Sequence, residues 1–289
     1  MFYGCDRPGV EKGPDTLRNN GLVSLFDKKH NITDLGNISV KDVSSKNKFS
    51  DNSKMKYSSE VIKINEDLAE VVYKSLKENN LPLIIGGDHA LALGTVAGSS
   101  KYFKDDFAVI WIDAHGDINT DATSPSGNIH GMPLAASMGI GNDSLKNIFY
   151  SNSKVSFKNV YILGARDLDK GEKELIEENN LNVWTMCDIK ELGLEKCLND
   201  LLNKINNSGI NNIHLSFDID SLDPMYIPGT GTPVNDGLSL EGGKKVIKDI
   251  LATNKVRSID FVEFNPTLDS TDTTLKNCKV LLEEIGNCL

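Results

Sequence analysis

From residue 57 onward, short apolar runs alternate with amphipathic stretches. Val61, Ile64, Leu68, Val72 and Leu76 recur at helical spacing and predict a helix through 61–80. Pro82 and the pair Gly86 and Gly87 then bracket an apolar run too short for a helix and rich in branched residues, which predicts a buried strand over 81–87. Further strands are predicted at 107–113, 159–165, 182–185, 212–220 and 256–265. Helical patterns lie between them at 90–98, 170–180, 190–207, 239–254 and 272–287. Strands separated by helices are the signature of βαβ units. Their near-continuous apolar character predicts a mainly parallel β-sheet buried on both faces.

Three segments break this alternation. Residues 36–56 are rich in Lys, Ser and Asn and are expected to form a solvated excursion. Residues 114–131 are polar with Gly and Pro, yet carry His115, His130 and Asp117. Residues 221–238 are rich in Pro and Gly. The last two directly follow strands, and open parallel sheets bind ligands outside the carboxyl ends of their strands.

The candidate chemistry sits at those ends. In the sequence DAHGD, Asp113, His115 and Asp117 follow one another at spacing two, so an extended chain would turn an imidazole and two carboxylates to one side. In FDIDSLDP, Asp218 and Asp220 repeat the spacing, and two carboxylates on one strand end are costly without a cation between them. In GGDHALALGT, Asp88 is expected to cap a helix and His89 to join the cluster. Four aspartates and two histidines over-supply one metal but suit two divalent ions sharing carboxylates. Oxygen-rich ligation with two imidazoles favours Mn²⁺ or a similar octahedral ion over tetrahedral zinc. Paired ions make a nucleophile from water at neutral pH, so the expected chemistry is metal-assisted hydrolysis. His130, in SGNIHGMP, is a candidate proton carrier. Glu263, in DFVEFNPTLD, ends an apolar strand at the same sheet edge, and with no protein cation identifiable nearby it points to a cationic substrate. Of the other histidines, His214 lies within a strand pattern and is expected to be a satisfied core residue. His30, before a short expected strand, is expected at the surface.

Charge and composition narrow the field. Over 289 residues, 31 Lys and Arg stand against 41 Asp and Glu, giving −10 at pH 7. That balance argues against nucleic acid and against anionic membranes as partners. No apolar run approaches the ~20 residues that span a bilayer. Five scattered cysteines with no CxxC fit a reduced, cytoplasmic setting.

Taken in order, GVEKGPDTLR, GGDHALALGT, DAHGDINT, SGNIHGMP, SFDIDSLDP, GTGTP and EFNP resemble the motifs of the arginase branch of the ureohydrolases, from about Gly4 to the last helix. The resemblance implies a single three-layer α/β/α domain over 1–289 and two Mn²⁺ ions. His89, Asp113, Asp117 and Asp218 would hold one ion, and Asp113, His115, Asp218 and Asp220 the other. It implies hydrolysis of L-arginine to L-ornithine and urea, with a hydroxide between the ions attacking the guanidinium carbon. Glu263 would pair with the guanidinium, with Thr232 supporting that end. Asp117 and His130 would handle protons. Asn119, Ser126 and Asn128 would contact the α-carboxylate, and Asp169 the α-ammonium. With no Lys or Arg in 113–137, carboxylate recognition is expected to rest on neutral donors. The resemblance also implies a homo-oligomer, a trimer or hexamer. The family opens on an apolar strand, which the start Met1-Phe2-Tyr3-Gly4 largely lacks, so either the native start is expected upstream or Met1–Tyr3 is expected to be the stub of a lost strand. The alternatives are an agmatinase or guanidinobutyrase with the same metals, or a metal-stabilised binding protein without turnover. A two-metal phosphoesterase is disfavoured by the order of its motifs.

Overall fold

The computed structural model describes residues 1–26 and 29–289. Its frame is one sheet of six parallel strands: β1 (Leu83–Ile85), β2 (Ala108–Ile112), β3 (Val160–Leu163), β4 (Asn182–Trp184), β5 (Ile213–Asp218) and β6 (Val256–Val262). They lie in the order β1-β6-β5-β2-β3-β4. The helices are α1 (Gly13–Asn19), α2 (Ser58–Lys77), α3 (Ala92–Phe103), α4 (Pro133–Ser137), α5 (Asp143–Lys146), α6 (Lys170–Asn179), α7 (Met186–Leu192), α8 (Leu194–Ser208), α9 (Leu240–Leu251) and α10 (Thr273–Cys288).

Strand alternation divides the core. Ala108, Ile110 and Ile112 of β2 face a layer built by α8, α9 and α10. Val109 and Trp111 face the opposite layer, with α3 and α4. Every residue of β2, β3 and β5 is buried, as a sheet covered on both sides requires. The result is a single domain of three layers, α/β/α. All six expected strands are present, and α2 buries Val61, Ile64, Leu68, Val72 and Leu76 as their spacing required.

Three local readings change, and the start of the chain packs in its own way. The expected helix over 190–207 is two helices, because Gly193 at φ 89° ends α7 and starts α8. No strand follows His30, whose ring is half-buried and lies 2.8 Å from Gly286 O. The segment 36–56 is largely exposed, but its end docks: Met55 is fully buried and Lys56 N donates to Gly127 O at 2.9 Å. Residues 1–3 form no strand. Instead Met1 O accepts from Asp88 N at 3.1 Å, and the Met1 backbone fills the space beside Gly87 where a Cβ would stand.

The chain leaves β2 toward β3 on one side, while β5 pairs on the other side of β2, with Ile112 opposite Phe217. The two central strand ends therefore open a crevice at a topological switch point.

Candidate metal centre and active site

His89 follows β1. Asp88 caps the turn that carries it, accepting from Ala90 N at 3.0 Å and from Gly4 N at 3.0 Å, as expected of an N-cap. The His89 ring stacks on Trp111, with centroids 4.0 Å apart and planes 8° from parallel. Its Nε2 lies 2.8 Å from Ser216 Oγ. These contacts aim Nδ1 at three carboxylates: Asp113 Oδ2 at 3.0 Å, and Asp117 Oδ2 and Asp218 Oδ2 at 3.1 Å each.

Asp113 comes off β2 in a bend rather than an extended chain. Its Oδ1 accepts from His115 N at 2.7 Å and its Oδ2 from Trp111 Nε1 at 3.0 Å. Asp117 stands at φ 51°, in the left-handed region. The convergence of 113, 115 and 117 thus comes from bends and one strained residue, not from strand alternation. Asp218 ends β5 and accepts from Asp220 N at 2.8 Å. Asp220 lies in the following 3-10 turn, not in the strand, and its Oδ1 accepts from Ala114 N at 3.2 Å, tying β5 to β2. His115 Nδ1 lies 3.3 Å from Asp113 Oδ1 and 3.2 Å from Asp220 Oδ2.

Two groups here can each hold a metal ion: His89, Asp113 and Asp218, and Asp113, His115 and Asp220. The donor set fits. His89 Nδ1 is buried and has no hydrogen-bond partner. With Nε2 paired to Ser216 Oγ, Nδ1 is left facing three carboxylate oxygens, a crowding that a positive charge among them relieves. Ligands about 2.1 Å from an octahedral ion stand about 3 Å from one another, which is the spacing found. Charge tells the same story. Burial, then the neighbouring Asp220 and Asp113, drives the Asp218 carboxyl well above its ordinary range. Burial and the Asp113 charge push Asp117 up to about 6. Burial alone would depress the His89 imidazole, but its three carboxylates outweigh that and raise it well above its usual value. The cluster demands positive charge.

Of the remaining candidates, Thr232, Asn119, Ser126, Asn128, Asp169 and His130 line a pocket over this floor, while Glu263 is buried beneath His130 and His89. Glu263, just past β6, stands at φ 68° and accepts from His89 N at 2.8 Å. His130 Nδ1 lies 3.2 Å from the same carboxylate oxygen, so Glu263 does have a protein partner where none was expected. Its other oxygen, Oε2, is buried and unpaired. Thr232 Oγ1 donates to Asp220 Oδ2 at 3.1 Å. Asn119 donates to Asp169 Oδ2 at 2.8 Å, and both line the pocket with Ser126, Asn128 and His130.

A model of the arginase family matches residues 3–286. The chain belongs to the arginase family. The arginase of Brevibacillus brevis is 43% identical over 99% of this chain and 94% of its own length. That of Bacillus subtilis (strain 168) is 41% identical over the same shares. Among solved structures, the Bacillus caldovelox arginase superposes with a TM-score of 0.92 at 36% identity, over 99% of this chain and 95% of that one. An Entamoeba histolytica arginase solved with L-ornithine gives 0.89 at 34%, over 98% and 94%. The fold of this chain is thus the arginase fold.

Sequence reasoning missed several residues of this arginase-family site. Glu172 is buried at the pocket wall, where its two oxygens accept from Ile118 N at 3.1 Å and Asp169 N at 2.9 Å. Burial pushes it up to about 7. The D-x-x-E spacing of Asp169 and Glu172 was a readable capping-box signal. Arg166 donates to the carbonyls of Asp220, Leu222 and Val234, clamping the Pro- and Gly-rich loop. Asn128, expected to contact the substrate α-carboxylate, lines the pocket with its side-chain amide engaged elsewhere: Nδ2 donates to Cys5 O at 3.1 Å, and Oδ1 accepts from Lys56 Nζ at 2.8 Å.

Proposed function

We propose that this arginase-family hydrolase cleaves L-arginine to L-ornithine and urea using two Mn²⁺ ions. The observation that carries the reading is the pair of ligand groups sharing Asp113 on the pocket floor, with Glu263 beside them. His89, Asp113, Asp117 and Asp218 would hold one ion and Asp113, His115, Asp218 and Asp220 the other. When bound, the pair would supply activated water at neutral pH.

The chain's own residues do the rest. The unpaired Glu263 Oε2 is the acceptor for a guanidinium N–H, and a planar cation beside a carboxylate is held in one orientation. Burial opposes charge on His130, but Glu263 outweighs it and raises the imidazole above its ordinary value. A protonated His130 at the pocket wall can deliver a proton to the departing amine. Asp117, facing the same floor, takes the proton that the attacking water gives up. Thr232 holds Asp220 in place. At the outer end, Asn119 and Ser126 face the α-carboxylate, with Asn128 donating its backbone N–H to Ser126 Oγ at 3.1 Å. Asp169 faces the α-ammonium.

The test is urea release by the Mn²⁺-loaded protein from arginine, agmatine and guanidinobutyrate. Arginine is expected to exceed agmatine by about 10⁴-fold in kcat/KM, because agmatine leaves the carboxylate donors unpaired. Agmatine turned over as well as arginine would replace this reading with the agmatinase one.

A further inference from the structure

The side chains lining the pocket include Asp117, Asp167, Asp169, Glu172, Asp218 and Asp220 but no Lys or Arg. A substrate carboxylate entering there meets its own sign of charge. Among the described residues, one Lys or Arg side chain makes a hydrogen bond or ion pair with a side chain of the lining. Lys56 Nζ donates to Asn128 Oδ1 at 2.8 Å. Its side chain is 14% exposed, so its charge is poorly screened by water. The backbone fixes it as well, through Lys56 N to Gly127 O at 2.9 Å, inside the SGN loop that carries Ser126 and Asn128. Gly127, at φ +72°, lets Lys54 O come closer than any Cβ would allow, so strap and loop are in backbone contact.

Asp6 does not cancel this charge. It pairs with Lys56 at 3.0 Å and also with Lys48 at 2.8 Å, two cations for one carboxylate. The excess of one positive charge lies beside Asn128 in the pocket lining.

Building on the arginine reading above, we propose that Lys56 is a specificity-determining residue. Its largely covered ammonium, bonded to Asn128 and only half-neutralised by Asp6, attracts the substrate α-carboxylate and selects amino acids over the decarboxylated amines. The segment 45–57 is thereby part of the binding site.

Steady-state kinetics of the Mn²⁺-loaded enzyme test this, with Ki values for L-ornithine and putrescine as the matched pair with and without the carboxylate. Lys56→Met and Lys56→Gln are both expected to raise KM for arginine and Ki for ornithine roughly 5- to 20-fold. kcat should stay within about twofold, and kcat/KM for agmatine and Ki for putrescine should not change, because the contact is remote from the reacting carbon. Lys56→Arg keeps the charge and should stay near the parent. Lys48→Met touches no residue of the lining but leaves Asp6 wholly to Lys56. It is expected to raise the same two constants about two- to threefold, and it serves if Lys56 variants fold poorly. Equal losses on both members of each pair, no loss on either, or a Lys56→Gln variant as selective as the parent would overturn the proposal. A parent that fails to hydrolyse arginine at all would sink the functional reading instead.

Discussion

Single side chains hold the ends of elements that carry this site. Asp269 lies between β6 and α10, and its carboxylate accepts from Thr274 N at 2.6 Å and from Thr271 N at 2.8 Å. Burial alone would raise its carboxyl, but those bonds and the Thr271 hydroxyl win and hold it down at about 2. A carboxyl depressed in the folded state contributes stability above its unfolded value near 3.9, and loses it as pH falls through the folded value. Asp269→Ala is expected to cost about 1–2 kcal/mol at pH 7. The difference from the parent should hold down to about pH 4 and shrink toward pH 2, as urea unfolding across that range would record. A constant difference down to pH 2 would mean the loss comes from packing. Residue-scale features of this kind divide sharply in legibility. His89, Asp113, His115, Asp218 and Asp220 could be singled out at strand ends in the sequence, although bends and a 3-10 turn, not strand spacing, gather them. The left-handed φ of Asp117 and Glu263 was not, since both residue types favour φ below zero and only the surrounding fold keeps them in a conformation costing about 1–3 kcal/mol. Lys56 was unreadable for a different reason: its partners Asp6 and Asn128 are 50 and 72 residues away in sequence.

Elements were legible where burial is uniform and obscure where backbone meets backbone. β2 and β3 announced themselves because they are apolar on both faces, β5 and β6 because one face is apolar while the other buries His214, Ser216, Ser258 and Asp260, and α2 because one stripe is. The intimacy of α2 with α3 did not. A Cβ on Gly94 would stand 2.5 Å from Asn65 O, and one on Gly98 2.5 Å from Ala69 O, so two glycines one turn apart bring the helices into direct contact. Asn65 Oδ1 then reaches Gly94 N at 2.7 Å, using a donor near the start of α3. Gly94→Ala gains up to about 1 kcal/mol of helix propensity. It must then push apart two packed helices, at about 1–3 kcal/mol or more, and break the Asn65 contact. The expected net is destabilisation of about 1–3 kcal/mol, read as a lower urea midpoint with an unchanged slope. A stabilised variant would show that α2 can retreat freely, and with it the turn holding His89 just before α3. The split of the expected 190–207 helix has the same origin in glycine: Gly193 at φ 89° accommodates a corner that apolar periodicity runs straight across.

At the scale of the molecule, the parallel sheet concentrates acid where its strands end. β1, β2, β5 and β6 bring Asp113, Asp218 and Glu263, the last 174 residues from His89 in sequence, each into contact with His89. Parallel strands have a common end by construction, so a sequence that alternates strands with helices predicts this gathering before any distance is known. What alternation cannot predict is that the gathered carboxylates lie buried, at 0–6% exposure for Asp113, Asp117, Asp218 and Asp220. Four such charges would oppose folding, and two divalent ions would offset them one for one. Metal binding and folding should therefore be coupled. Stripping the protein with a chelator is expected to abolish hydrolysis and lower the melting temperature. Mn²⁺ at 100 times its dissociation constant should restore about 2.7 kcal/mol per independent site, roughly 5–10 °C for a chain of this size. Calorimetry with and without Mn²⁺, alongside metal analysis, gives both numbers on one sample. Two ions per chain with a rise in melting temperature would support the paired site. A fully active protein holding one ion, or a melting temperature indifferent to Mn²⁺, would mean that the carboxylates settle their charge with protons and that the second ligand group does not bind metal.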